Sequence, residues 1–227
     1  MLITMQSIWN GLDWSALLSV VMGVIPALIC ITLHELSHGA VAYMLGDDTA
    51  KRAGRLTLNP IRHIDWFGLV MMVICHFGWA KPVPVNMYNF KNPKRGMAVT
   101  ALAGPVSNII IAVVFLFVYG LVYRPLYTGG TAAQAVLEMI LTTAYLSLAL
   151  AIFNFIPISP LDGSKVLFSF LSDSAYEKLM RYERYGMIVL IILVATGATS
   201  GVLSTVTGWV YDRLFFVAQF AFDLVNP

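Results

Sequence analysis

Four stretches of this chain, residues 14–33, 96–123, 139–161 and 185–211, contain no charged side chain. A helix rises 1.5 Å per residue, so about 20 apolar residues match the ~30 Å hydrocarbon core of a bilayer, and each stretch is long enough to cross it. A water-soluble domain is excluded. Of the 227 residues 59% are hydrophobic and 11% charged, whereas soluble domains carry about 25% charged residues to wet their exterior. The formal net charge of +2 excludes nucleic acid as a natural partner. Cys30 and Cys75 both lie inside apolar runs, so no disulfide framework is expected. Residues 1–13 lack the basic start and small-residue cleavage site of a signal peptide, and the first span is expected to direct insertion.

Positive residues set the orientation of such a chain. Suppose the first span runs from outside to inside, and the shorter apolar run at 66–80 dips in and returns to the same face. The cytoplasmic segments then hold Lys51, Arg52, Arg55, Arg62, Lys81, Lys91, Lys94, Arg95, Lys165, Lys178, Arg181 and Arg184, which is 12 of the 14 Lys and Arg. A full crossing at 66–80 would put these clusters on opposite faces. Beyond Gly208, Asp212, Gln219 and Asp223 form one polar stripe, with Trp209, Phe215, Phe216 and Phe220 around the rest of the helix. That tail reads as an interfacial helix or a sixth span. Segments 53–59 and 81–88 alternate β-branched residues between Gly and Pro, which predicts short strands at the membrane surface. The expected fold is an all-α integral membrane bundle of about five to six transmembrane helices. It carries a re-entrant segment and a small membrane-associated β element.

The run His34-Glu35-Leu36-Ser37-His38 lies inside the first apolar helix, about ten residues before its expected end at Gly46. Positions i and i+4 of a helix share a face, so both imidazoles can bind one Zn²⁺ while Glu35 accepts a proton from a neighbouring water. Ionisable groups at membrane depth are costly and mark function by default. A catalytic zinc site takes a third protein ligand. Asp162 is a candidate, in a segment where Pro157 and Pro160 break the helix and turn a carboxylate towards the first span. His63 and His76 are rivals at interfacial positions, Glu138 is too near the outer face, and Asp162 has an alternative use as a helix N-cap. In the stretch at 96–123, Ala98, Ala101 and Gly104 allow a close helix approach, and Asn108 needs a partner within the bilayer.

Taken together these segments resemble the site-2 proteases, zinc metalloproteases that cut peptide bonds within membranes. HELSH at 34–38, Gly104 with Asn108, and NFIPISPLDG at 154–163 match the three marks of that family in order, and GRLTLNP, GWAKPVPVN and NPKRGM are similar to its connecting segments. The resemblance covers about residues 20–175. It implies that His34, His38 and Asp162 bind one zinc per chain, that Glu35 is the general base, and that Asn108 and Asn154 help hold substrate or the oxyanion. No PDZ or CBS module is present, so the chain is similar to the minimal form: a single membrane-embedded metalloprotease domain over 1–227, with a catalytic core at about 14–175 and C-terminal helices at 185–227.

The expected activity is hydrolysis of peptide bonds in or near the transmembrane segments of single-span membrane proteins. The protein is expected to be multi-pass in the cell membrane, with its site opening to the cytoplasm, the shorter path for water. The Lys81 to Tyr88 strand is expected to offer an edge on which an unwound substrate pairs its backbone. A zinc transporter or channel using the same ligands as a transit site is the alternative, but it would string ionisable groups across the bilayer. An inactive scaffold is disfavoured because every catalytic residue type is intact. Oligomeric state, substrate identity and scissile bond are not legible in the sequence.

Overall fold

The computed structural model describes residues 14–68, 70 and 80–227. Its helices, in chain order, are α1 (Trp14–Met44), α2 (Thr49–Arg52), α3 (Pro93–Tyr127), α4 (Thr131–Phe155), α5 (Asp162–Phe168), α6 (Asp173–Arg181), α7 (Glu183–Ala195), α8 (Ser200–Leu214) and α9 (Phe216–Val225). Three are long and apolar enough to cross a membrane: Val20–Met44 within α1, α3 and α4. Helix α7 and the pair α8–α9 meet at 82° and add at most one further span. Among the described residues there are thus three such spans, or up to four, where the sequence reading expects about five to six.

The reason lies at Gly197. Its φ of 70° is a left-handed conformation that glycine adopts without strain. There the Gly197 N–H bonds the Val194 carbonyl and the Ala198 N–H bonds the Leu193 carbonyl, a closure that ends α7 inside the apolar run at 185–211. The same closure ends α1, where Gly46 sits at φ 106° and the Asp47 N–H reaches the Ala42 carbonyl. That stop falls where the sequence expects it.

Asp47, just past the stop, is fully buried. Its Oδ1 accepts from the Thr49 N–H at 3.1 Å, the Thr49 hydroxyl and Asn89 Nδ2 at 2.7 Å, and its Oδ2 accepts from the Asn86 N–H at 2.7 Å. Burial pushes this carboxyl up, but the donors from Thr49, Asn86 and Asn89 outweigh it and hold it below the ordinary carboxylate range. The bonds join the end of α1 to the turn before α3, so both lie at one end of the bundle.

Most of the 66–80 run falls outside the described residues, and so does its re-entrant path. Its two ends are placed. Ile64 and Ala80 form an antiparallel bridge, and the Lys81 N–H donates to the His63 carbonyl at 3.0 Å. The chain therefore returns to the point it left.

The expected β element is also corrected. Segments 53–59 and 81–88 form no strand, and the Ile64–Ala80 bridge is the one β contact among the described residues. Side chains displace the ladder: Asn59 caps a 3₁₀ turn at Pro60–His63 by accepting from the Ile61 N–H, and Asn86 caps another at Met87–Asn89 by accepting from the Tyr88 N–H. Pro82 and Pro84 supply no donor at all. These local bonds outcompete the β-branched pattern.

Helix α3 is the hub, packed against α1, α4, α5 and α9. Leu116, Ala144 and Ala218 form a buried cluster where α3, α4 and α9 meet. Gly120 is the contact point with α9: a Cβ there would stand 2.8 Å from the Ala221 Cβ and 2.9 Å from the Phe222 nitrogen. Four residues on, Arg124 Nη1 donates to Asn226 Oδ1 at 3.1 Å.

Gly120→Ala is therefore expected to destabilise the folded protein by about 1–3 kcal/mol, the usual cost of overpacking, by prising α9 from α3. Gly23→Ala in α1, with nothing within 4 Å of the added methyl, is expected to be neutral or slightly stabilising. Thermal denaturation of the two variants in detergent checks both.

Candidate metal centre

The helical repeat of α1 puts His34 and His38 on one face, with their Nε2 atoms 3.0 Å apart. The Asp162 Oδ2 lies 3.2 Å from His34 Nε2 and 3.1 Å from His38 Nε2. All three side chains are buried. Among the described residues they are the one cluster of three or more His, Cys, Asp or Glu whose donor atoms converge, all within 4.8 Å.

Asp162 reaches this point because α4 stops at Phe155 and the chain turns through Pro157 and Pro160 before α5 begins at Asp162. The N-cap position is taken by Leu161, and no side chain caps the helix. Asp162 is thus free of the capping use that its residue type allowed. Gly163 permits the turn, since a Cβ there would overlap the Phe155 carbonyl group.

Gly104 of α3 lies directly beneath the imidazoles, and a Cβ would collide with both rings. The small residue gives the two helices their close approach at the depth where the histidines need room. Helix α3 also fixes each ring. His38 Nδ1 is 2.7 Å from the Thr100 carbonyl, which can only accept, so Nδ1 carries the proton and Nε2 is left with a lone pair. Asn108, fully buried, sets Nδ2 3.1 Å from His34 Nδ1, and its Oδ1 has no partner. The two ends of an amide are exchanged by a half-turn, and with Oδ1 facing His34 the Nδ1–H has its acceptor and Nε2 again points a lone pair inward. The Ser147 hydroxyl donates to the Asn108 carbonyl at 2.8 Å and ties α4 to the same point.

The donor set suits zinc. Two neutral imidazole nitrogens and a carboxylate oxygen are its ordinary ligands, and bonds of about 2.0 Å in a tetrahedron give ligand–ligand edges of about 3.3 Å. The triangle observed here has sides of 3.0–3.2 Å. Asp162 Oδ2 faces no hydrogen-bond donor other than the two imidazole edges, an arrangement that a cation completes.

Glu35 lines the same cavity as this triangle and accepts from the Val83 N–H through Oε2 at 2.7 Å. Two cavities meet beside it. One, about 270 Å³, is lined by Val83, Val85, Met97, Thr100 and Lys165. The other, about 250 Å³, is apolar and lined by Ala27, Leu28, Ile31, Phe153 and Leu190. His34, Glu35 and Asn154 border both.

Not every expected residue lies where the sequence reading put it. Asn154 opens on the cavities, with Nδ2 donating to the Leu150 carbonyl at 2.9 Å. Asn108 was expected to contact substrate, but it is sealed against His34. His63 lines the apolar cavity but is not part of the cluster, with Nε2 2.9 Å from the Thr57 carbonyl, and His76 lies outside the described residues. The expected substrate-pairing edge at 81–88 has little left to offer: Glu35 takes the Val83 N–H, Asp47 takes the Asn86 N–H, and Pro82 and Pro84 have none. The Thr100 carbonyl and the Val83 N–H escaped the sequence reading because they are backbone groups. Only the prolines flanking Val83 hint at one of them.

Comparisons with known proteins give the family. The model of peptidase family M50 matches residues 121–197. The chain is similar to the protein named "Putative zinc metalloprotease YwhC" from Bacillus subtilis (strain 168), with 40% identity over 181 residues that cover 79% of this chain and 83% of that protein. A protein of the same description, Rip2 from Mycobacterium tuberculosis (strain H37Rv), is 28% identical over 85% of this chain and 73% of its own length. Zinc metalloprotease MJ0392 from Methanocaldococcus jannaschii is 28% identical over 72% of this chain and 36% of its own length. No solved structure matches. Identity of 40% carried across most of the Bacillus protein shows the family, and the chain belongs to peptidase family M50, the zinc metalloproteases of site-2 protease type.

Proposed function

We propose that this metalloprotease cuts peptide bonds in or near the transmembrane segments of single-span membrane proteins. His34, His38 and Asp162 hold the zinc, and Glu35 is the general base. The observation that carries the reading is the convergence of those three donors inside the bundle, two of them on a helix that is itself apolar enough to span. A ligand triangle at that depth is of use only to a substrate that comes to it within the membrane.

Bound zinc supplies a Lewis acid that polarises the scissile carbonyl and brings the pKa of water towards about 7. Glu35 then accepts the water proton and passes it to the leaving amine. Asn154 donates its second Nδ2 hydrogen to the carbonyl oxygen as negative charge develops on it, a role supported by its position on both cavities. Thr100 and Asn108 act through the ligands by holding each imidazole in the tautomer that turns Nε2 inward. The apolar cavity suits a side chain arriving from lipid, and the cavity bearing Lys165 suits the part of the peptide nearer water.

Orientation follows the basic residues. The end of the bundle that carries Arg55, Lys81 and Lys91 faces the cytoplasm, and water reaches the site from there. The membrane is the cell membrane.

Purified protein is expected to hydrolyse single-span membrane proteins, and a zinc chelator is expected to stop it. Loss of cleavage should follow His34→Ala, His38→Ala, Asp162→Ala and Glu35→Gln alike, but only the first three should lose bound zinc on metal analysis. Asn108→Ala should weaken zinc affinity by roughly 10–100-fold, the usual effect of removing an orienting partner. Full zinc occupancy in Asp162→Ala would move the third-ligand role to another residue.

Single cysteines at positions 52, 91 and 178 in a cysteine-free background are expected to react with a membrane-impermeant reagent only from the cytoplasmic side. One at position 128 should react only from outside. Opposite labelling of positions 52 and 91 would overturn the orientation.

A further inference from the structure

Segment 81–86 is pinned at three points. At its start the Lys81 N–H donates to the His63 carbonyl at 3.0 Å, and the Lys81 carbonyl accepts from Arg55 Nη2 at 2.6 Å. At its end the Asn86 N–H donates to Asp47 Oδ2 at 2.7 Å. Arg55 is 6% exposed and Asp47 0%, so both anchors are buried ionisable groups, and Thr49 and Asn89 fill the remaining acceptor sites of Asp47. At the middle point the Val83 N–H meets Glu35 Oε2 at 2.7 Å.

The sequence of the segment makes that middle contact unique. Pro82 and Pro84 have no N–H. Sliding the segment by one residue in either direction would set a proline against Glu35 and leave the carboxylate without its donor. Gly39, one helical turn beyond Glu35, lets the segment lie close to α1: a Cβ on Gly39 would stand 3.1 Å from Val83 Cγ1. Backbone contact, proline spacing and glycine therefore agree on one register.

We propose that the backbone N–H of Val83 is the positioning group for Glu35, holding Oε2 so that Oε1 is presented to water, and that buried Asp47 and Arg55 are the anchors that keep this N–H in place. This rests on the reading of Glu35 as general base. A glutamate carboxylate hangs on three rotatable bonds, and a proton acceptor must sit within hydrogen-bond reach of the proton it takes. One fixed oxygen removes most of that freedom and leaves the other oxygen as acceptor. The donor is an amide rather than a side chain, so it adds no charge and no mobile group to the site.

The test replaces the Val83 amide by an ester, using the α-hydroxy analogue of valine incorporated at position 83 of the full chain, with valine incorporated by the same route as control. The expected result is a fall in kcat of at least tenfold, KM within twofold, and one zinc still bound per chain. Asp47→Asn, which weakens the far anchor, should lower kcat by a smaller factor with zinc retained. Hydrogen exchange supplies a readout without turnover. In a peptide spanning 82–84, Val83 carries the one exchangeable backbone amide, and its exchange should be at least tenfold slower in the parent than in Glu35→Ala, while the amides of Lys81 and Asn86 keep their protection in both. A zinc-loaded ester variant with kcat within twofold of the control would overturn the proposal, as would equal exchange at Val83 in the parent and Glu35→Ala. If the ester variant binds no zinc, the exchange comparison decides. Absence of chelator-sensitive cleavage by the parent protein would instead sink the protease reading, and the exchange result would stand apart from it.

Discussion

Polar groups buried at membrane depth have to find partners within the protein, because lipid offers none. Two imidazoles and a carboxylate at one level of a helix bundle make that demand acute, and much of the fold can be derived from it. Each histidine needs an acceptor on its outer nitrogen, so α3 must come close enough to present the Thr100 carbonyl and the Asn108 amide. That approach requires Gly104, since any larger residue would strike the rings. The carboxylate must come from outside the first helix, so α4 must end early and release the chain to Asp162. A position for α1, α3, α4 and α5 follows from one triangle of donor atoms.

The periphery answers to a weaker constraint. Helices α7, α8 and α9 carry none of the triangle's partners: α8 and α9 are held by apolar packing around Leu116, Ala144 and Ala218 and by the close passage of Gly120, and α7 by the close approach of Gly186 to the Ser159 backbone. Dispersion and lipid exclusion fix their rotation less strictly than hydrogen bonds fix α3. The break at Gly197 is tolerable there because it disturbs no buried polar group of the site.

What the sequence made legible divides along the same line. His34, Glu35 and His38 could be read because the i, i+4 rule is geometry that a helix cannot evade. Asp162 stood out because two prolines end a span just before an acid. Gly104 was visible as a small residue, but its neighbours, the two imidazoles, were not. Asn108 was legible as an amide that needs a partner inside a bilayer, but not the identity of that partner, His34, which depends on which helix faces it. The strands at 53–59 and 81–88 were over-read because β-branched alternation says nothing of Asn59 and Asn86, whose side chains close 3₁₀ turns instead. The run at 185–211 looked like one span because hydropathy does not register a single left-handed glycine.

The bridge between Ile64 and Ala80 has a consequence for how such a chain can change over time. Because the two residues are paired and the Lys81 amide is pinned to His63, whatever lies between 65 and 79 leaves and rejoins the bundle at one place. Both ends of that interval are fixed at one place, so a change in its length need not alter the separation of His63 and Lys81. Segment 81–86 has no such latitude, because sliding it by one residue would put a proline opposite Glu35.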